Sequence, residues 1–225
     1  MPIPPRPLFT AGQTLVLEGD SRTSRRVPPA LATWPWLRLN NWHVTWADRF
    51  EEWIFCHRPD LRLKIHNAAV GGSAVEDLVQ RYEVMVKPLQ PDWVLLTIGQ
   101  NDRVRGTTPA AFRAALARYA AQVRADSGGR LVVIVTHPPG RYGEPAADCA
   151  DWLAALRDAV GPQDGLCVDL TDALAERERA LKALWAHHTL RTYEDEHFNA
   201  VGADVIATLV LQACGLLLLS QGEMK

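Results

Sequence analysis

The sequence predicts an α/β fold in which a parallel sheet carries helices on both faces. Five short apolar segments, rich in valine, isoleucine and leucine, recur at intervals that leave room for a helix between each pair. Such segments are typical of strands that are covered on both faces. Strands that alternate with helices form parallel sheets through right-handed crossovers.

The apolar segments give the strands in chain order. They cover residues 14–18, 61–66, 93–98, 131–136 and 166–170. The first of them, Thr14-Leu15-Val16-Leu17-Glu18, stops just before Gly19-Asp20-Ser21, where the chain must turn.

The segments between the strands have helical patterns. These cover residues 44–57, 74–86, 109–125, 147–160 and 172–186, and a last one covers residues 200–218. Pro109 suits a first helical turn, and Gly128-Gly129 ends the helix that follows. The most apolar segment, residues 205–219, is shorter than the ~20 residues that span a bilayer, so we expect a helix packed on the sheet.

Composition and charge limit the class of protein. With 225 residues, 48% hydrophobic and 22% charged, the chain can bury a sizeable core, and we expect a single domain over residues 1–225. The 24 basic and 26 acidic side chains nearly balance, so nothing indicates a nucleic-acid partner. The proline-rich N-terminus has no signal-peptide pattern, and we expect a cytoplasmic protein without a membrane span.

Polar and glycine-containing segments follow the predicted strands. Ser21 follows the first strand, Gly71-Gly72 follows the second, and Gly99-Gln100-Asn101-Asp102 follows the third. The carboxyl ends of parallel strands meet at one edge of the sheet, where such folds place their reacting groups. A fourth segment, Glu194-Asp195-Glu196-His197, lies in a loop that leads into the last helix.

These segments contain what a serine nucleophile requires. A serine needs a base to take its proton, and Ser21 and His197 fill these two roles. Acyl transfer also needs donors to the developing oxyanion, which the backbone N–H groups of Ser21 and Gly72 and the Asn101 amide would supply. Taken alone, Gly71-Gly72 is better explained as a plain turn between strand and helix, and the Asn101 segment is also explained as a loop with an Asx turn.

In combination, the four segments resemble those of the SGNH, or GDSL, hydrolase superfamily. Gly19-Asp20-Ser21 matches its first block, although Arg22 stands where leucine is usual. Asn67-Ala68-Ala69-Val70-Gly71-Gly72 and Gly99-Gln100-Asn101-Asp102 match the next two blocks. The resemblance implies that Ser21, Gly72 and Asn101 form the oxyanion hole. It extends over residues 14–211, which we take as the core of the domain.

The last block departs from the family pattern. In the family an aspartate stands three residues before the histidine, whereas this chain has Glu194 there and Asp195 one residue closer to His197. Both carboxylates therefore remain candidates for the group that orients the imidazole.

The resemblance implies a three-layer α/β/α sandwich with a five-stranded parallel sheet, and no metal or organic cofactor. It also implies a serine ester hydrolase that forms an acyl-enzyme on Ser21. The family acts on carbohydrate acetyl esters, lysophospholipids, acyl thioesters and small aryl esters, and membership does not choose among them. The oligomeric state also stays open.

A cluster of tryptophans bears on the substrate. Trp46 and Trp53 fall in a helical pattern and are predicted to be structural, whereas Trp34, Trp36 and Trp42 fall in an irregular stretch and are predicted to line a pocket. Indoles that stack on sugar rings favour a carbohydrate or other small ester that carries a short, acetyl-like acyl group.

Three alternatives compete with this reading. One keeps the triad but takes long acyl chains, as a lysophospholipase or thioesterase does. Another is a carbohydrate-binding relative that has lost catalysis. A dinucleotide-binding domain is disfavoured because Gly19-Asp20-Ser21-Arg22 lacks the glycine-rich loop that admits a pyrophosphate.

Overall fold

A five-stranded parallel sheet organises the part of the chain that the structure describes. The computed structural model describes residues 7–24, 44–136, 150–184, 189–190 and 197–217. The strands are β1 (Thr14–Gly19), β2 (Lys64–Asn67), β3 (Trp93–Thr97), β4 (Arg130–Val135) and β5 (Leu166–Asp169). They pair in the order β2-β1-β3-β4-β5. The central β1 aligns Leu17 with Asn67 of β2 and Gly19 with Thr97 of β3.

Helices connect the strands. They are α1 (Trp46–His57), α2 (Val75–Met85), α3 (Gln100–Val104), α4 (Pro109–Ser127), α5 (Ala150–Val160), α6 (Thr171–Leu184) and α7 (Ala200–Ala213). Short 3-10 turns cover Pro59–Leu61, Lys87–Leu89 and Gly161–Gln163.

Side chains alternate along the strands and fill one core on each face of the sheet. Leu15 and Leu17 belong to the core beneath α1 and α7, together with the fully buried Phe50. Val16 points to the opposite core, beneath α2, α4 and α5, which contains Phe112. The predicted α/β fold, a five-stranded parallel sheet between two helical layers, is therefore confirmed.

Most predicted boundaries agree with the structure to within a few residues, and the exceptions have local causes. The strand predicted over residues 61–66 begins only at Lys64, because Leu61 ends a 3-10 turn and Arg62 has a left-handed φ of 45°. The helix predicted over residues 200–218 ends at Ala213. The five-residue α3 has no counterpart in the prediction. Residues 147–149 and 185–186 of two predicted helices lie outside the described residues.

The apolar α7 packs its buried side chains into the core beneath α1. In the ranges that the structure describes, no helix combines the length and the apolar character that crossing a membrane requires.

Candidate active site

Ser21 lies in a tight turn at the carboxyl end of β1. The N–H of Asp20 donates to the carbonyl of Thr97 on β3, and the Asp20 carbonyl accepts from the N–H groups of Thr23 and Ser24. The Asp20 carboxylate accepts from the N–H of Arg22 at 3.0 Å. Backbone hydrogen bonds and the buried Asp20 side chain thus fix the residues on both sides of Ser21, which is itself partly exposed.

Gly19 makes the approach to this turn possible. It has a φ of 127°, and a Cβ at this position would lie 2.1 Å from the carbonyl oxygen of Thr97. Only glycine combines this dihedral angle with such a close approach of two backbones. The glycine of Gly19-Asp20-Ser21 is therefore required by the packing of β1 against β3.

The imidazole of His197 contacts the Ser21 hydroxyl. The distance from His197 Nε2 to Ser21 Oγ is 2.8 Å, across 176 residues of sequence. When Nε2 is unprotonated, it accepts the hydroxyl hydrogen, and this is the geometry in which a base removes a proton. The structure therefore joins the predicted nucleophile and the predicted base.

Asn199 fixes the segment that carries His197. Its side-chain oxygen accepts from the N–H of Gly202 at 2.9 Å and so caps the N-terminus of α7. Its side-chain nitrogen donates to the carbonyl of Thr189 at 2.7 Å, and its backbone N–H donates to the carbonyl of Leu190. Asn199 thus anchors the start of α7 two residues after His197.

Gly72 lies in the loop between β2 and α2. The loop is held to β1, since the N–H of Ala68 donates to Leu17 and the N–H of Val70 donates to Gly19. Gly72 has a left-handed φ of 79°. Its carbonyl accepts from Arg105 at 2.7 Å. This loop therefore lies alongside the end of β1, at the same edge of the sheet as Ser21.

Asn101 lies in the first turn of α3. Its Nδ2 atom donates to the carbonyl of Ser73 at 3.0 Å. A side-chain amide nitrogen carries two hydrogens, so one donor remains after this bond. The amide is thereby fixed beside the loop that contains Gly72.

Asp102 also links α3 to the segment that follows Gly72. Its carboxylate is 1% exposed and accepts from the N–H of Val75, the first residue of α2, with both oxygens at 3.0 and 3.2 Å. Burial raises the pKa of Asp102 to about 6, and the hydrogen bond from Val75 opposes this shift. Asp102 therefore ties α3 to the start of α2.

A small pocket opens beside the Ser21 and His197 side chains. Trp46 and Ile206 are each 1% exposed and belong to the core beneath α1 and α7. The indole N–H of Trp46 donates to the hydroxyl of Thr23 at 3.2 Å, which fixes its orientation. The pocket is lined by Ser21, Arg22, Val44, Thr45, Trp46, His197, Phe198, Ala203 and Ile206.

Among residues 7–24, 44–136, 150–184, 189–190 and 197–217, no three His, Cys, Asp or Glu side chains converge as metal ligands would.

Comparison with known proteins decides the family. The profile of the GDSL-like lipase/acylhydrolase family matches residues 18–205, which is most of the chain and includes the Ser21 turn and His197. The chain belongs to this family. The resemblance predicted from the sequence is confirmed.

Relatives within the GDSL family differ in substrate. Thioesterase 1/protease 1/lysophospholipase L1 of Escherichia coli is 26% identical over 133 residues, which are 59% of this chain and 55% of that protein. The chain thus spans about half the length of this relative. An arylesterase of Vibrio mimicus is 24% identical over 61% of this chain and 62% of its own length.

A solved structure extends the comparison to nearly the whole chain. The acetylxylan esterase of Geobacillus stearothermophilus superposes with a TM-score of 0.71 at 20% identity, over 92% of this chain and 96% of the other. At this identity the likeness shows the fold alone.

The predicted site residues of this GDSL-family chain fall into two groups. Ser21 and His197 contact each other directly, and Gly72 and Asn101 lie at the same sheet edge in segments linked through Ser73. Glu194 and Asp195, the two candidates for the acid, lie outside the described residues.

The tryptophan cluster divides in a similar way. Trp46 is in the core, as predicted, although it is also one of the residues that line the pocket. Trp53 is partly buried against the same core. Trp34, Trp36 and Trp42, predicted as pocket walls, lie outside the described residues.

Several residues at the site were not predicted. Phe198 and Ile206 line the pocket, and Arg105 and Asp102 hold the Gly72 loop. Phe198 directly follows His197 in the sequence, and this position could have indicated that it lies at the site. The contacts of Arg105 cross 33 residues and have no sequence signature.

Proposed function

We propose that this protein is a serine ester hydrolase in which Ser21 is the nucleophile and His197 the general base. The observation that carries the proposal is the 2.8 Å contact between His197 Nε2 and Ser21 Oγ. That contact lies at the carboxyl end of a central parallel strand, in a chain of the GDSL-like lipase/acylhydrolase family.

The reaction proceeds in two halves. Ser21 Oγ attacks the ester carbonyl carbon while His197 takes the hydroxyl proton, and the carbonyl oxygen becomes an oxyanion. The N–H groups of Ser21 and Gly72 and the Asn101 amide stabilise that oxyanion. His197 then gives its proton to the departing alcohol, and the acyl group stays on Ser21. Water, deprotonated by His197, attacks the acyl-enzyme, and His197 returns this proton to Ser21 Oγ as the bond to the acyl group breaks and the acid is released.

A carboxylate orients the imidazole. Glu194 and Asp195 are the candidates, because both stand within three residues of His197 in the sequence. The variants Glu194→Gln and Asp195→Asn identify the acid. Replacing the correct one lowers kcat sharply, whereas replacing the other leaves kcat near the wild-type value.

We further propose that the substrate is a carbohydrate ester or another small ester with a short acyl group. The pocket beside Ser21 supports this, because it is small and is lined in part by the buried side chains of Trp46 and Ile206. The structural likeness to an acetylxylan esterase is consistent with it. The alternative is a longer acyl chain, which the names of the Escherichia coli relative favour.

Hydrolysis of p-nitrophenyl acetate, butyrate and octanoate tests both proposals. We expect Ser21→Ala and His197→Ala each to lose at least about 10³-fold in kcat, since triad members act as a unit. His66→Ala, at an exposed position on β2, is the control and should keep wild-type turnover.

The profile over chain length separates the two substrate classes. A small pocket lined by Trp46 and Ile206 favours acetate, whereas a deep apolar groove gains about 0.8 kcal/mol for each buried methylene and favours octanoate. Equal rates for wild type and Ser21→Ala on all three esters would contradict the proposed activity.

A further inference from the structure

A buried ion pair lies directly behind the candidate site. Glu18, the residue before Gly19 on β1, has a fully buried side chain, and the Arg81 side chain on α2 is 14% exposed. The Arg81 Nη2 atom lies 2.6 Å and its Nε atom 2.9 Å from Glu18 Oε1. Removing two charges from water is costly, and a pair of packed apolar side chains often stabilises a fold as much as a buried ion pair does.

Arg81 makes further contacts that a simple ion pair does not need. Its Nη1 atom donates to the hydroxyl of Ser73 at 2.6 Å, and its Nη2 atom also donates to the carbonyl of Gly19 at 3.2 Å. The planar guanidinium therefore bonds at once to the strand that leads to Ser21 and to the loop that contains Gly72. A lysine ammonium has no such rigid fork.

Ser73 connects Arg81 to the two proposed oxyanion donors, Gly72 and Asn101. It directly follows Gly72 in the chain, and its hydroxyl donates to the carbonyl of Val70 at 2.7 Å. Its own carbonyl accepts from Asn101 Nδ2 at 3.0 Å. One side of Ser73 therefore contacts Arg81 and the other side contacts the Asn101 amide.

We propose that Arg81, held by Glu18, is a positioning residue that sets the Gly72 loop and the Asn101 amide relative to Ser21. This inference rests on the proposed function, because it assigns Arg81 to the oxyanion hole of that reaction. Arg81 touches no reacting atom. It acts through Ser73 and through the Gly19 carbonyl.

A second arginine at the loop makes a useful contrast. Arg105 donates to the Gly72 carbonyl and to Asp77, but its side chain is 50% exposed. Water screens and competes for exposed pairs. The buried Arg81 is therefore the stronger constraint on the position of the loop.

The test separates positioning from stability. Arg81→Lys keeps the charge opposite Glu18 but loses the fork, and Glu18→Leu/Arg81→Met removes both charges and leaves no buried ion. The matched control is Glu76→Gln/Arg118→Met, which removes an exposed pair between α2 and α4. Each variant is assayed for Tm, for kcat and KM on p-nitrophenyl acetate, and for its rate of inactivation by a p-nitrophenyl phosphonate.

We expect both Arg81 variants to lose about 10- to 100-fold in kcat, a part of the effect of removing an oxyanion donor outright. KM should stay within about threefold of wild type, since the lost stabilisation belongs to the transition state. Phosphonate inactivation should slow in parallel, because the phosphoryl oxygen uses the same donors. The Glu76/Arg118 control should match wild type in every readout.

A mutant cycle supplies a readout that a merely structural role would not change. In an Asn101→Ala background, Arg81→Lys should lower kcat several-fold less than it does in the wild-type background, because one of the two donors that Arg81 positions is already absent. Arg81 variants with wild-type kcat, or equal losses in both backgrounds, would overturn the inference while leaving the proposed function intact. A wild-type protein without Ser21-dependent turnover would overturn the proposed function and this inference with it.

Discussion

The two halves of the candidate site are held in different ways. Ser21 and the Gly72 loop are fixed by backbone hydrogen bonds at the edge of the sheet, where Asp20 bonds to Thr97 and Val70 bonds to Gly19. His197 stands in a segment anchored, among the described residues, through Asn199. The nucleophile thus lies in a turn fixed to the sheet, whereas the base lies in a segment fixed by the cap residue of α7.

Gly19→Ala disturbs the half of the site that is held by the sheet, and it should have the largest effect on stability. A Cβ would lie 2.1 Å from the Thr97 carbonyl at a φ of 127°, so β1 and β3 must separate. Overpacking and backbone strain together cost roughly 3–5 kcal/mol, measured as the free energy of unfolding in urea. Gly12→Ala is the control, since it also has a positive φ but has open space around it, and we expect about 1 kcal/mol. Equal losses in the two variants would refute the close-approach argument.

The pH dependence of stability also tests the half of the site that contains the Gly72 loop. Asp102 belongs to this half, because its carboxylate holds the start of α2 just after that loop. Its pKa of about 6 in the folded protein exceeds the ordinary 3.8, so the folded state holds this proton more tightly than the unfolded state. Its contribution to the free energy of unfolding is therefore largest below pH 4, falls as the pH rises from 4 to 6, and is constant above. The fall is at most about 3 kcal/mol.

The variant Asp102→Asn isolates this term. An amide stays neutral but still offers an oxygen to the N–H of Val75, so the variant should gain stability relative to wild type as the pH rises from 4 to 6. Urea unfolding at four pH values measures the difference. Parallel curves for the two proteins would contradict the raised pKa.

Asn199→Ala tests the helix-cap half, with the smallest expected change in stability. The variant loses the cap on α7 and the bond to Thr189, at a cost of about 1–2 kcal/mol. Because Asn199 anchors the segment of His197, kcat on p-nitrophenyl acetate should fall as well. Thr108→Ala removes the cap of α4, where the threonine hydroxyl accepts from Ala111, and should lower stability by a similar amount with kcat unchanged. A normal kcat in Asn199→Ala would show that the cap does not position the base.

The predictability of the fold follows from the same physics. Strands that are buried on both faces are mostly apolar, so the segments that form β1, β3 and β4, which are almost wholly buried, can be recognised from their composition. The start of β2 was misplaced because Leu61 and Leu63 are apolar and buried in the core beneath α1 and α7, although Leu61 lies in a 3-10 turn and Leu63 precedes the first residue of β2. Five residues of α3 are too few for a helical period to appear.

The site was partly predictable for a similar reason. Ser21, Gly72, Asn101 and His197 stand in short segments with a recognisable order, and the structure brings Ser21 and His197 into contact. The residues that hold them had no such signal. Arg81 reaches Glu18 across 63 residues and Asp102 reaches Val75 across 27, and such contacts appear only once the sheet brings the segments together.

Covalent labelling tests the central claim most directly. Incubating the protein with a p-nitrophenyl phosphonate and measuring the intact mass and the labelled peptide reports whether Ser21 is nucleophilic, whatever the natural substrate. We predict one phosphonyl group per chain on the peptide that contains Ser21, no label in Ser21→Ala and much slower labelling in His197→Ala. An unlabelled wild type, or a label that persists in Ser21→Ala, would contradict the account.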